Sequence, residues 1–207
     1  MKIEILYEDK DYLVLNKPAG LVVHSDGKRT EETLVDWIQK KYPEMTDVGE
    51  HLVLNNGEEI KRSGIVHRLD RETSGVIALA KNQEAYEYLK NQFKEREIQK
   101  TYKAYVYGII KNDEGVIDRP IGRSQKFGLW SAQRGMRGKV REAVTEYKVL
   151  ERGKAHTFLE IKPKTGRTHQ IRVHMKAINY PVVCDKIYSP KMECALGLNR
   201  LALHAES

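Results

Sequence analysis

Gly64-Ile-Val-His-Arg-Leu-Asp-Arg-Glu-Thr-Ser-Gly75 runs directly into the apolar stretch Val76-Ile-Ala-Leu-Ala80. A strand beside a turn crowded with His67, Arg68, Asp70, Arg71, Glu72 and Thr73 is not a packing element. Loops positioned by strands are where catalytic groups commonly sit. As a bare pattern, an aspartate between two arginines also fits a turn-stabilising salt bridge.

Working outward, further strand-like runs occupy 3–7, 12–15, 21–23, 102–108, 144–150, 157–161 and 200–203. They are rich in β-branched and aromatic residues and are bounded by Gly, Asn and Asp. Two helices are expected over 31–41, ending before Pro43, and over 83–97, each with an apolar face at helical spacing. A third is expected over 168–178, with Thr168 as its cap. Strands in groups with helices at irregular intervals predict an α+β fold, a single domain over 1–207 with a mainly antiparallel, bent sheet.

Charge is the most informative part of the composition. The 207-residue chain has 36 Lys and Arg against 29 Asp and Glu, a net charge of +7. Positions 119–141 alone hold Arg119, Arg123, Lys126, Arg134, Arg137, Lys139 and Arg141 and no acid, and a second acid-free stretch spans 161–184. Such concentration suits a polyphosphate partner, whose released counterions supply affinity; the other reading is a solvated face balanced by acids elsewhere. Gly122–Gly138 reads as a basic hairpin or long loop. Its Phe127 and Trp130 serve either as stacking platforms for RNA bases or as the hairpin's own core. No apolar run approaches the ~20 residues that span a bilayer, and charges every few residues make the N-terminus unlike a signal peptide. Cys184 and Cys194 are too few for a disulfide framework and are read as ordinary thiols. A soluble, cytoplasmic monomer is the expectation.

Lys162-Pro-Lys-Thr-Gly-Arg-Thr-His-Gln-Ile-Arg-Val-His174 is the second polar cluster, and it places Arg172 on a helix, where a guanidinium can hold a carboxylate through two parallel hydrogen bonds. His169 and His174 stand five apart with no acidic neighbour, so no metal site is expected. Ser63 and Ser74 lack a nucleophile elbow, which argues against a serine hydrolase.

HRLDRETSG (67–75) closely resembles the catalytic signature of the RluA-type pseudouridine synthases. LNKPAGLVVH (15–24), KTYKAYVYG (100–108) and TGRTHQIRVH (165–174) match the same family in the same order. The resemblance covers essentially residues 3–204. It implies that Asp70 is the catalytic aspartate, that Tyr102 lies against the target base and that Arg172 pairs with the aspartate. It also implies that Arg68 fills the stack vacated by a flipped nucleotide. Lys17, Pro18 and Gly20 match a motif read as support for the catalytic loop. His67, Arg71, Arg167 and His169, in the same strings, are candidate substrate contacts, although His67 fits a loop-holding role as well. The implied activity is isomerisation of a uridine in ribosomal or transfer RNA to pseudouridine. That reaction moves the glycosidic bond from N1 to C5 of the base and needs neither metal nor cofactor. A non-catalytic RNA-binding protein and a hydrolase with Asp70 as nucleophile are the rival readings. Relatives commonly carry an S4-like N-terminal domain, which this sequence is not expected to include, and a longer C-terminus. They also commonly have Gly where this chain has Cys184.

Overall fold

The structure is a computed structural model that describes residues 2–24, 31–53, 59–126 and 128–207. Phe127, one of the two aromatic candidates in the basic stretch, lies outside the described residues. The chain divides into two compact units, Met1–Ile98 and Gln99–Ser207.

In the first unit β1 (Glu4–Glu8) and β2 (Tyr12–Lys17) form an antiparallel pair. Asp9 turns the chain between them, its Oδ1 accepting from the backbone N–H groups of Asp11 and Tyr12 at 2.8 and 2.7 Å. The first helix, α1 (Leu34–Lys41), starts later than the expected 31 because Thr33 and Asp36 close a capping box there. Its apolar stripe buries Leu34, Val35 and Ile38. Positions 21–23, expected to be a strand, form none. Their carbonyls are used differently: Val22 and Val23 accept from Leu34 N–H and Val35 N–H at 2.8 and 3.1 Å, at the start of α1. β3 (Leu52–Val53) pairs with β4 (Glu59–Ile60). β5 (Ser74–Ala80) then lies antiparallel to β2, with Leu13 opposite Leu79 and Leu15 opposite Ile77. α2 (Gln83–Glu95), capped by Asn82, ends where Arg96 turns left-handed at φ 62. Leu13, Leu15, Leu34, Ile38, Met45, Ile77, Leu79 and Tyr86 form the unit's core.

The second unit begins with β6 (Tyr102–Tyr107) and β7 (Glu114–Asp118), followed by the short β8 (Ile121–Arg123), β9 (Trp130–Ser131) and β10 (Arg137–Arg141). The long hairpin β11 (Val144–Arg152) and β12 (His156–Pro163) leads to α3 (Gln170–Ala177), and β13 (Leu203–Ala205) closes the chain. Antiparallel pairs give the order β13-β6-β12-β11-β7. The basic stretch is a separate three-stranded sheet in the order β10-β8-β9, and every residue of β10 is exposed. Ile171 and Met175 of α3 pack on Leu159, Ile161 and Leu203. The α+β class and the antiparallel pairing expected from sequence are thus observed.

Two expectations are corrected. The residue that caps α3 is His169, left-handed at φ 55, and no side chain caps the helix; Thr168 does not. Cys184 and Cys194 form a disulfide, with Cα atoms 4.6 Å apart. Cys184 sits at φ 60 in the left-handed region that favours glycine, so the residue departs from glycine where the backbone keeps a glycine-like conformation.

The cross-link closes a loop with a sequence separation of 10. Restricting the unfolded chain over so short a span contributes about 2–3 kcal/mol. Dithiothreitol should therefore lower the thermal midpoint of the wild type and leave that of Cys194→Ser unchanged. A wild-type midpoint insensitive to reductant would remove the disulfide from the account.

Candidate active site

Asp70 lies in the connection that leads into β5. Its path is set at Gly64, at φ 78, where a Cβ would come within 1.9 Å of the Ala80 carbonyl oxygen. Only glycine fits, and Ala80 N–H donates to the Gly64 carbonyl at 3.0 Å. Ile65 then bridges to Leu79, and Leu69 buries its side chain, leaving Arg68 exposed and Asp70 half-buried. Beyond Asp70 the turn closes through Thr73 N–H donating to the Asp70 carbonyl at 3.1 Å.

The Lys17-Pro-Ala-Gly20 segment holds this loop from beside it. The Lys17 side chain is fully buried, and its Nζ donates to the carbonyls of Pro18, Leu21 and Arg71 at 2.9, 2.9 and 3.1 Å. Gly20 N–H adds a second bond to the Arg71 carbonyl at 2.8 Å. The residue after Asp70 is thereby fixed twice. Burial pulls the Lys17 ammonium down to about 8, and the charges of Asp70 and Glu72 oppose that pull. The motif read as loop support therefore does its work through carbonyl capture.

The other loop candidates take separate places. His67 Nε2 accepts from Ala78 N–H at 3.1 Å, and its ring stacks on Phe93 of α2 at 4.6 Å. That is a loop-holding arrangement, the second of the two readings open for this residue. The Arg71 side chain pairs with Glu31. Arg68 Nη1 lies 3.4 Å from His24 Nε2.

In the second unit Tyr102 opens β6, half-buried, opposite Ile161 and Ala205. Arg172 is 2% exposed on α3, and Asp185 grips it from both ends of the fork. Nε donates to Oδ2 and Nη2 to Oδ1, each at 2.8 Å. Burial alone would raise the Asp185 carboxyl; hydrogen bonds and charge from Arg172, with the N–H groups of Tyr188 and Ile187, outweigh it and hold the carboxyl below its usual value. Asp185 was not singled out from sequence. The signal was available: an arginine buried on a helix needs a carboxylate, and Asp185 follows the acid-free stretch 161–184.

Gln170 was also underrated. Its Oε1 accepts from Thr165 Oγ1 and Arg167 N–H at 2.7 and 2.9 Å, and its Nε2 donates to the Val144 carbonyl and Thr145 Oγ1 at 3.0 Å each. It thus shapes the glycine-containing entry to α3. Next in the network, His174 Nε2 contacts the Arg119 carbonyl at 2.8 Å, which can only accept, so this nitrogen carries the proton. His174 Nδ1 then accepts from Thr145 Oγ1 at 2.9 Å. Arg167 Nε donates to the Glu142 carbonyl at 3.0 Å, and His169 Nδ1 lies 2.8 Å from Tyr188 Oη. The basic sheet carries its own aromatic pair, with the Arg123 guanidinium 4.1 Å above the half-buried Trp130 ring. Trp130 also packs on the cluster of Ile121, Ala143, Val173 and Tyr188, which is the packing role of the two open to it. A depression of about 470 Å³ on β7, β11 and β12 is lined by charged residues such as Glu146, Lys148 and Glu160, and by none of the candidates above.

Residues 11–177 match the RNA pseudouridylate synthase family. Among curated relatives, the Bacillus subtilis (strain 168) protein named uncharacterized RNA pseudouridine synthase YlyB is 42% identical over 205 residues, covering 99% of this chain and 63% of that protein. The Pseudomonas aeruginosa ribosomal large subunit pseudouridine synthase D is 43% identical over 192 residues, covering 91% of this chain and 54% of that one. The solved structure of human RNA pseudouridylate synthase domain containing 1 superposes with a TM-score of 0.74 at 28% identity, covering 99% of this chain and 76% of that one. The chain belongs to the RNA pseudouridylate synthase family. It spans less than two thirds of the length of these curated relatives.

Two predictions test this scaffold. Lys17→Met removes the donor to buried carbonyls and should cost about 2–4 kcal/mol in denaturant unfolding; a loss below a few tenths would show that the loop does not depend on it. Burial pulls the His174 pKa below the usual 6.5, against the hydrogen bond to the Arg119 carbonyl. As pH falls through that value the unfolded chain binds a proton that the fold refuses, so stability is full above it and lost on acidification. His174→Gln, with a similar donor and acceptor, should flatten the decline in melting temperature between roughly pH 7.5 and 5.5. An unchanged slope would assign that decline to other groups.

Proposed function

We propose that this chain is an RNA pseudouridine synthase in which Asp70 is the catalytic carboxylate. The observation that carries the reading is the loop itself. Lys17, Gly20, Gly64 and Thr73 fix its backbone on both sides of Asp70, whose own side chain is not submerged in the core. Such expenditure of buried polar bonding around one carboxylate fits preorganised chemistry.

The reaction breaks the N1–C1′ bond of a uridine, turns the base, joins C5 to C1′ and releases the C5 hydrogen as a proton, while N1 takes up a proton from water. Asp70 acts on the sugar or the base in that sequence, Tyr102 lies against the base, and Arg172, its guanidinium fixed by Asp185, is the basic residue of the site. The target must first leave its stack, which costs a few kcal/mol. Exposed Arg68 takes the vacated place, with His67, Arg71, Arg167 and His169 lining the approach directly or through the loops they hold. Phosphate contacts from the exposed β10 and from Arg123 offset the remaining cost without reading sequence. We assign both compact units to one catalytic domain, acting as a monomer in the cytoplasm without metal or cofactor. Large-subunit ribosomal RNA is the substrate class favoured over transfer RNA, because relatives at about 40% identity are named for it.

Asp70→Asn should reduce release of tritium from RNA labelled at uracil C5 by a factor of about 10³ or more. RNA affinity should stay within about twofold of wild type and weaken steeply between about 50 and 200 mM salt in both proteins. Undiminished release by the variant would remove Asp70 from the chemistry. Salt-sensitive binding with no release by wild type would point to an RNA-binding role alone.

A further inference from the structure

Tyr188 has no part in the mechanism above, yet it touches Arg172 and the basic sheet, two of the features that mechanism uses in the second unit. It is 3% exposed. Its ring lies under the Arg172 guanidinium at 5.1 Å and within 5.7 Å of Lys176 Nζ, inside the range of cation–π attraction. Its backbone N–H donates at 3.0 Å to Asp185 Oδ1, the same oxygen that receives Arg172 Nη2. Its hydroxyl faces a different set of partners. His169 Nδ1 is 2.8 Å away, with the two rings edge to face, and Trp130 N–H of the basic sheet donates to it at 3.4 Å. Trp130 in turn carries Arg123 on its face.

We propose that Tyr188 is a positioning residue coupling the RNA-gripping sheet β10-β8-β9 to Arg172. This inference rests on the pseudouridine synthase reading for its kinetic consequence. The two ends of the side chain do different work. The ring and backbone set the place of the Arg172–Asp185 pair, and the hydroxyl ties that place to β9. The Trp130 tie is long for an N–H···O bond, so a sheet drawn onto RNA has room to shorten it and to press the ring toward Arg172. Contact with phosphates would then register at the arginine, and the pair would be seated best when RNA is in place. His169 belongs to the same junction. Its left-handed backbone at φ 55 turns the chain into α3 and holds its ring edge-on against Tyr188. A side chain that only filled core volume would not need its hydroxyl at this junction.

Tyr188→Phe in the full chain tests the coupling, because it keeps the ring and removes only the hydroxyl ties. The substrate is an in vitro transcript of large-subunit ribosomal RNA carrying tritium on uracil C5. With enzyme saturating, single-turnover release should slow about tenfold, while RNA affinity and the thermal midpoint stay near wild type. An unchanged rate overturns the proposal. So does a loss confined to affinity, or one accompanied by a matching loss of stability, since either makes Tyr188 a surface or packing residue. A second readout does not depend on catalysis. The chain has two tryptophans, so in a Trp37→Phe background Trp130 is the sole reporter. RNA binding should alter its emission in that protein and alter it much less when Tyr188→Phe is added. Identical changes in the two proteins overturn the coupling even if wild type proves inert on the transcript, an outcome that would by itself sink only the pseudouridine reading.

Discussion

A buried guanidinium and the carboxylate that neutralises it set the terms for the second half of this chain. Removing both Arg172 and Asp185 from water costs several kcal/mol per ion, and attraction between them offsets that only when geometry is good and the remaining polar atoms are bonded. Both conditions hold. The fork is bidentate, and Asp185 Oδ1 also takes the N–H groups of Ile187 and Tyr188 at 3.0 Å. Because breaking one partner would strand a buried charge, α3 and the segment after Val183 are locked to each other. The disulfide from Cys184 to Cys194 tethers that same segment one residue from the aspartate.

The first unit solves the matching problem with a different cation. Among the described residues Lys17 grips no carboxylate; it gathers carbonyls from its own turn and from the loop of Asp70. An ammonium suits that task because its three donors can point in three directions, whereas a planar fork favours a carboxylate. The Gln170, Thr145 and His174 network does for the entry to α3 what Lys17 does for the Asp70 loop. Among the described residues, no buried side-chain polar atom lacks a partner, which is the condition under which such networks rigidify a site.

Positive charge follows another rule. Arg123, Arg137, Lys139 and Arg141 lie on short strands with exposed side chains, where ion pairs contribute little to stability and their field reaches into solvent. Surface arginines on β10 and the buried Arg172 are therefore the same residue type in opposite settings, the first left to solvent and the second fixed in one geometry by a carboxylate.

The sequence by itself determined much of this. Apolar alternation placed β1, β2, β5, β6, β11 and β12 to within a few residues, and helical spacing placed α1 and α2, because those patterns record which side faces a core. The strings around Asp70, Tyr102 and Arg172 were legible through their resemblance to a family signature, since as bare patterns they fit salt bridges and structural hydrogen bonding as well, and His67, Gln170 and His174 are used that way. Four features were settled only by tertiary structure. The run 21–23 looks like a strand, yet the Val22 and Val23 carbonyls are claimed by α1 and that of Leu21 by Lys17. Thr168 looks like a cap, yet the backbone turns at His169. Cys184 and Cys194 read as thiols until their Cα atoms were seen 4.6 Å apart. Asp185 is one acid among 29 until Arg172 is found buried against it. Local pattern encodes the direction a side chain faces; which distant group waits there is decided by the fold, since a buried polar atom takes the partner that packing brings within reach.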